Sequence, residues 1–150
     1  MPQSLSLVII HVIFSTKDRK PQIDVETLPR LHGYLATLAR NAGCEAYRVG
    51  GVEDHVHLAI RLSRTITIAD LVQTLKTSSS MWTKELSEDL SDFSWQRGYG
   101  CFSVGPKDLD ALVTYIDDQE DRHKKLSFKD EFRMLLKRYG VEFNEAYVWD

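Results

Sequence analysis

From Val56 onward the apolar residues fall at alternate positions, Val56, Leu58, Ile60 and Leu62, which is the period of a strand with one buried face. His55, His57, Ala59 and Arg61 then point the other way. Upstream, Leu5 to Ser15 reads as a strand with apolar residues on both parities. Leu7, Ile9 and Ile13 take one side, and Val8, Ile10, Val12 and Phe14 the other. Between these strands, Leu28, Leu31, Leu35 and Leu38 repeat at helical spacing from about Leu28 to Ala42, and Gly43 is placed to stop that helix. Glu45 to Val52 predicts a second strand, with Gly50-Gly51 turning into the histidine strand as a hairpin.

The second half has the same legibility. Thr67-Ile68-Ala69-Asp70 resembles a capping box with Asp in place of Glu, and Ile68, Leu71, Val72, Leu75 and Trp82 mark one helix face. Tyr99 to Val104 predicts a fourth strand. Gly105-Pro106 opens another helix with Leu109, Leu112, Val113 and Ile116 as its buried stripe. Ser127 caps a last helix that runs through Arg138 and stops at Gly140. The aromatic tail, Val141 to Trp149, is expected to pack back as an extended segment. The order βαββαβ followed by helices predicts an α+β, ferredoxin-like fold: one antiparallel sheet with helices on one face plus C-terminal helices. The histidines are expected on the other, uncovered face.

Composition narrows the class without naming it. The 150 residues, 43% hydrophobic and 27% charged, suit a single domain spanning 1–150 with its own core. No apolar run approaches the ~20 residues of a membrane span, and no signal peptide is read at the start. Cys44 and Cys101 are far apart and lack metal-type spacing, so two reduced thiols in a cytoplasmic protein are expected. The net charge of −3 does not advertise a nucleic-acid binder. The basic residues do cluster: Lys17, Arg19 and Lys20 after the first strand, Arg122, His123, Lys124 and Lys125 later, and a third group at Arg133, Lys137 and Arg138. Taken alone, each is a solvated face.

The candidate chemistry lies in two places. His55-Val56-His57 puts two imidazoles side by side on one strand face, where they can grip one metal ion; two of the chain's five histidines stand there. Tyr115 and Gln119, four apart on a helix, share a face that flanks the apolar stripe. A phenol is a weak nucleophile at neutral pH, but attacks phosphorus if a metal stabilises charge on the phosphate and leaving oxygen. Gln119 supplies an oxygen one turn from the tyrosine. His11, on the neighbouring first strand, and His32, on a helix surface, read as ordinary structural histidines.

These pieces together resemble the single-tyrosine HUH transposases of small bacterial insertion sequences, including the REP-associated tyrosine transposases. The resemblance runs over nearly the whole chain. It is carried by Phe14-Ser15-Thr16-Lys17, by Gly51 to Leu58, by Trp95-Gln96-Arg97-Gly98-Tyr99-Gly100 and Phe102-Ser103-Val104, and by Tyr115 to Gln119 with Glu120, His123, Phe128 and Glu131-Phe132. Asp118 stands where the family pattern has Asn. The resemblance implies a metal-dependent single-stranded DNA endonuclease and strand transferase acting at hairpin ends. His55, His57 and Gln119 would bind Mg2+ or Mn2+. Tyr115 would attack a phosphodiester to give a 5′-phosphotyrosine link and a free 3′-OH. No nucleotide cofactor is needed, which agrees with the absence of a phosphate-binding Gly-rich loop. Lys17, Arg19, Lys20, Arg97, Arg122, His123 and Lys124 are candidate DNA contacts. A homodimer with shared active sites, bound to single-stranded or hairpin DNA near the nucleoid, is the expected assembly.

Two other classes compete. A non-catalytic nucleic-acid-binding module of this fold, or a domesticated hairpin-binding protein, would keep the sheet without the chemistry. RNA-recognition modules stack bases on aromatic residues of the central strands, whereas His55, His57, Ala59 and Arg61 stand here. A ligand-sensing dimer with an incidental histidine pair is the third.

Overall fold

The computed structural model describes residues 1–150. Four strands, β1 (Ile9–Ser15), β2 (Glu45–Val52), β3 (His55–Arg61) and β4 (Gly100–Val104), form one sheet in the order β2-β3-β1-β4, with every pair antiparallel. Helix α1 (Leu28–Asn41) links β1 to β2, and α2 (Ile68–Lys84) links β3 to β4. Then follow α3 (Leu109–Asp117), the single turn α4 (Gln119–Arg122) and α5 (Phe128–Arg138). This is the predicted βαββαβ arrangement with C-terminal helices. Both side-chain caps form as read: Thr67 accepts from the Asp70 N–H, and Ser127 from the Asp130 N–H.

Alternation sorts the strand residues as expected. Ile10, Val12 and Phe14 of β1 and Val56, Leu58 and Ile60 of β3 face α1 and α2. There they meet Leu31, Leu35, Leu71 and Leu75 in the main core.

The opposite face is not open. Helix α5 lays Phe128, Phe132, Leu135 and Leu136 over Ile13 and Phe102, and α3 lays Leu112 and Ile116 over Ala59. Two glycines make this approach possible. A Cβ on Gly50 of β2 would stand 2.6 Å from Ile116 Cγ2, and one on Gly100 of β4 would stand 2.5 Å from Phe132 Cε1. All seven residues of β1 are consequently buried. Its apolar residues on both faces are used within one chain, so they no longer call for a second subunit.

Three smaller expectations shift. Leu5, Leu7 and Val8 are exposed and β1 begins only at Ile9. The hairpin turns at Glu53-Asp54, leaving Gly50-Gly51 inside β2. The tail packs Phe143, Val148 and Trp149 onto the α5 cluster as predicted, but through a turn in which the Tyr147 and Val148 N–H groups donate to the Asn144 carbonyl. No helix is long and apolar enough to cross a membrane.

Candidate metal and nucleophile site

Strand register assembles the first part of the site. His55 and His57 lie two apart on β3, and His11 of β1, opposite Ala59, is the diagonal neighbour of His57. All three rings are buried under the C-terminal helices. Each histidine of the pair is oriented from behind. His55 Nδ1 lies 2.7 Å from Asp54 Oδ1, and His57 Nδ1 lies 2.7 Å from His11 Nε2. Both Nε2 atoms turn to the same point, where they would offer lone pairs to a metal ion with Nδ1 protonated, and where in the metal-free protein they face a carboxylate instead.

That point is filled by the carboxylate of Glu131 on α5. Its Oε1 is 3.2 Å from His57 Nε2, 3.4 Å from His55 Nε2 and 3.0 Å from His123 Nε2. Gln119 presents Oε1 at 3.0 Å from His55 Nε2 and 2.9 Å from His123 Nε2, while its amide donates to Glu131 Oε2 at 3.1 Å. The Tyr115 hydroxyl donates to the same Oε2. The Arg122 guanidinium lies over the Tyr115 ring, 4.2 Å from its centre.

The ionisations follow from burial against hydrogen bonding. Burial pulls the His55 pKa down, but hydrogen bonds to Asp54 and Glu131 outweigh it and raise the value to about 9. For His57 burial wins and the value falls to about 4. Burial, then the neighbouring His57, lowers His11 to about 3, so that ring is neutral. Burial disfavours the Glu131 carboxylate, yet hydrogen bonds from His123, His55 and His57 hold it well below the usual range. Burial first, then the Glu131 charge, pushes the Tyr115 phenol up.

The donor set suits a divalent cation. His55, His57 and Glu131 each offer one ligand atom, all within 4.8 Å of one another and all buried. A buried carboxylate ringed by three imidazoles is the charge arrangement that a cation would complete. The predicted residues His55, His57, Tyr115 and Gln119 thus come together within one chain. Glu131 was absent from the sequence-based site. Its signal was a carboxylate set in the apolar stripe Phe128, Phe132, Leu135 of α5. His11, read as an ordinary strand histidine, buttresses His57. His32 is half-buried, its Nε2 without a partner, and burial lowers its pKa to about 4.

The candidate DNA contacts divide. His123 belongs to the site itself and Arg122 to its rim. Lys17, Arg19 and Arg97 line one polar cavity of about 510 Å³ with Trp95, Trp149 and Asp150, where the Arg19 guanidinium donates to the Trp149 carbonyl at 2.7 Å. Lys20 is exposed outside it, and Lys124 is exposed beside Asp121.

A family model described as "Transposase IS200 like" matches residues 4–119. Two solved structures share the fold. A candidate transposase from Deinococcus radiodurans R1 is 22% identical, with a TM-score of 0.62 over 79% of this chain and 98% of that one. A REP-associated tyrosine transposase bound to a REP hairpin is 14% identical, with a TM-score of 0.60 over 84% of this chain and 76% of that one. No curated protein sequence matches the chain.

Proposed function

This chain belongs to the IS200-like transposase family and is a DNA transposase, and from that premise we propose that it cleaves and rejoins single-stranded DNA at hairpin ends with Tyr115 as nucleophile. The observation that carries this is the meeting of the Tyr115 hydroxyl with a buried carboxylate that also faces the His55–His57 pair. The structural neighbour solved with a REP hairpin supports hairpin DNA as the partner.

In the proposed reaction the Tyr115 oxygen attacks the scissile phosphorus. The P–O3′ bond breaks, a 5′-phosphotyrosine ester forms, and the departing 3′ oxygen takes a proton from solvent. Glu131 Oε2, already accepting from the phenol, is positioned to receive the phenolic proton. The ester keeps the energy of the broken bond, so attack by a 3′-OH reverses the step without ATP. His55, His57 and Glu131, with Gln119 beside them, would hold Mg2+ or Mn2+. Such an ion supplies positive charge against the phosphate and makes phenolate formation less costly. Arg122, which lies over the Tyr115 ring, and His123, which faces Glu131, would meet the phosphate in this reading.

Because every one of these groups comes from one chain, the geometry favours a tyrosine that serves its own histidine pair. In a dimer with shared sites, mixing Tyr115→Phe with His57→Ala protein would restore activity. In the cis arrangement mixing restores none. The reaction itself is tested by incubating the protein and Mn2+ with a panel of single-stranded hairpin DNAs and looking for a denaturant-resistant protein–DNA adduct. No adduct with any hairpin or metal would sink the nuclease reading and leave a hairpin-binding protein.

A further inference from the structure

We propose that the cavity walled by Lys17, Arg19, Gln96 and Arg97 is a backbone-phosphate site, which anchors a single DNA strand beside the Tyr115 centre without reading its bases. The inference rests on the DNA-processing function proposed above. The cavity holds about 510 Å³ and shares no residue with that centre. It lies at the end of β1, where the Ser15 N–H donates to Gln96 Oε1 at 2.8 Å and Ser15 itself pairs with His55 across the ladder. One backbone residue, Ser15, thus separates the cavity wall from the metal pair.

The donors of this wall outnumber its acceptors. The Ser15 N–H fixes which end of the Gln96 amide is oxygen, so the NH2 end turns the other way, toward Asp150 on the far wall. Gln96 is 2% exposed, yet that NH2 group finds only the Asp150 carbonyl, at 3.5 Å, beyond the ~2.7–3.2 Å of a good N–H···O bond. The Arg19 side chain is 15% exposed. Its Nη1 donates to the Trp149 carbonyl at 2.7 Å, and its Nε is buried without any partner. Buried donors in this condition are uncommon. Lys17 and Arg97, also lining the cavity, are exposed and form no ion pair. Against these cations stand Asp150 and Asp18, the latter 66% exposed and 3.9 Å from Arg19 Nη2. The Asp18-Arg19 backbone is strained. Both residues have left-handed φ, 58° and 55°, a cost that collects at ligand clamps. Lys76 of α2 pins the opposite wall by donating to the Gln96, Arg97 and Gly98 carbonyls.

A phosphodiester matches this surplus better than a base does. It brings one negative charge and acceptor oxygens, and no donor that the wall would have to satisfy. Neither indole of the cavity is free to stack a base. Trp95 is 7% exposed, packs edge-on against Phe14 and Phe93, and donates its N–H to Ser79 Oγ. The Trp149 ring is already covered by the cationic groups of Arg133, Lys129 and Arg19, at 4.9, 5.1 and 5.9 Å from its centre. Binding here therefore follows salt rather than base identity.

The test is anisotropy titration of the metal-free protein with fluorescein-labelled oligothymidine and oligodeoxyadenosine of equal length, at several salt concentrations. Lys17→Ala combined with Arg97→Ala, both at exposed positions, should weaken the two strands alike by about tenfold and flatten the salt slope by about 1. Gln96→Glu keeps the acceptor for the Ser15 N–H but puts a carboxylate oxygen where the NH2 group was, and should weaken both strands as well. Arg40→Ala removes a charge from α1, across the sheet, and should change neither quantity. With a cleavable hairpin and Mn2+, the double variant should need about tenfold more DNA for half-maximal adduct and reach the wild-type rate at saturation. Unchanged affinity in the double variant or in Gln96→Glu, a loss no larger than that of Arg40→Ala, or a loss confined to one of the two sequences overturns the proposal. Inorganic phosphate that shifts the Lys17 and Arg97 amides in NMR, while the double variant binds strands normally, marks a free-anion site and overturns it too. A wild-type adduct with normal strand binding by the double variant defeats the phosphate site alone. Strand binding lost in the double variant, with no adduct from the wild type, defeats the nuclease function alone.

Discussion

Gly50→Ala probes how closely the tyrosine helix must lie on the sheet. Gly50 pairs with His57 across the β2–β3 ladder, directly under α3. Its φ is not positive, so alanine meets no backbone penalty there. The added methyl would stand 2.6 Å from Ile116 Cγ2 and 3.1 Å from the Ile116 carbonyl oxygen. Ordinary contact begins near 3.4 Å, so α3 must retreat by about 0.8 Å at the residue next to Tyr115. Overpacking of this kind costs about 1–3 kcal/mol. Loss of glycine's freedom in the unfolded chain returns about 0.5 kcal/mol, leaving a net loss of about 0.5–2.5 kcal/mol. Urea unfolding should show a lower midpoint at unchanged slope. A nucleophile displaced by this distance should lose about 10- to 100-fold in adduct formation. Ile116→Ala alone should cost about 2–4 kcal/mol through its cavity. In that background Gly50→Ala should cost less than about 0.5 kcal/mol, because the obstructing side chain is gone. A Gly50→Ala protein with wild-type midpoint and wild-type adduct yield would refute the reasoning. So would an equal penalty with and without the Ile116 side chain.

Other consequences are open to direct measurement. His57→Ala removes a fully buried ring and leaves Glu131 and His11 each short of a partner, so the metal-free protein should lose about 2–4 kcal/mol in chemical denaturation; a loss under about 0.5 kcal/mol would show that the network contributes nothing. Metal-free stability should peak near pH 6.5 when thermal unfolding is followed across pH. The raised His55 pKa contributes stability that is complete below about 6.5 and lost as pH rises through about 9, whereas the lowered His57 and His11 values lose stability as pH falls below 6.5. Stabilisation by added Mn2+ should grow from pH 6.5 toward 9, since binding displaces the His55 proton; a metal effect that falls over this range would contradict the ligand assignment. Lys76→Met should cost about 1–3 kcal/mol, because the ammonium donates to the Gln96, Arg97 and Gly98 carbonyls at 2.7, 3.1 and 2.5 Å and holds α2 to the loop before β4; unchanged urea unfolding would refute it.

Periodicity and caps carried most of the fold. Alternation in β3, the Thr67 and Ser127 caps and the helical stripes each reported a local preference that packing left intact. The covering of the histidine face escaped because it depends on contacts between distant segments. Its traces were in the sequence nonetheless: apolar residues on both faces of β1 suit a strand covered on both sides as well as a subunit contact, and Gly50 and Gly100 inside strands mark close approach by another element. Tyr115, Gln119 and the histidine pair were legible because their spacing is local. Glu131 was hidden because nothing in its own helix reveals that three imidazoles wait opposite, although a carboxylate amid Phe128, Phe132 and Leu135 is costly unless paired. His11 reads like any strand histidine until the β1–β3 register sets it beside His57.

The central claim is that Tyr115 forms a covalent bond with DNA. Its most direct measurement is mass spectrometry of the protein after reaction with a cleavable single-stranded hairpin DNA and Mn2+, followed by nuclease and protease digestion. The account predicts a 5′-phosphonucleotide remnant on the peptide containing Tyr115, absent without metal and absent from Tyr115→Phe, which still binds the hairpin. A remnant on any other residue, or cleavage by Tyr115→Phe at the wild-type rate, would contradict it.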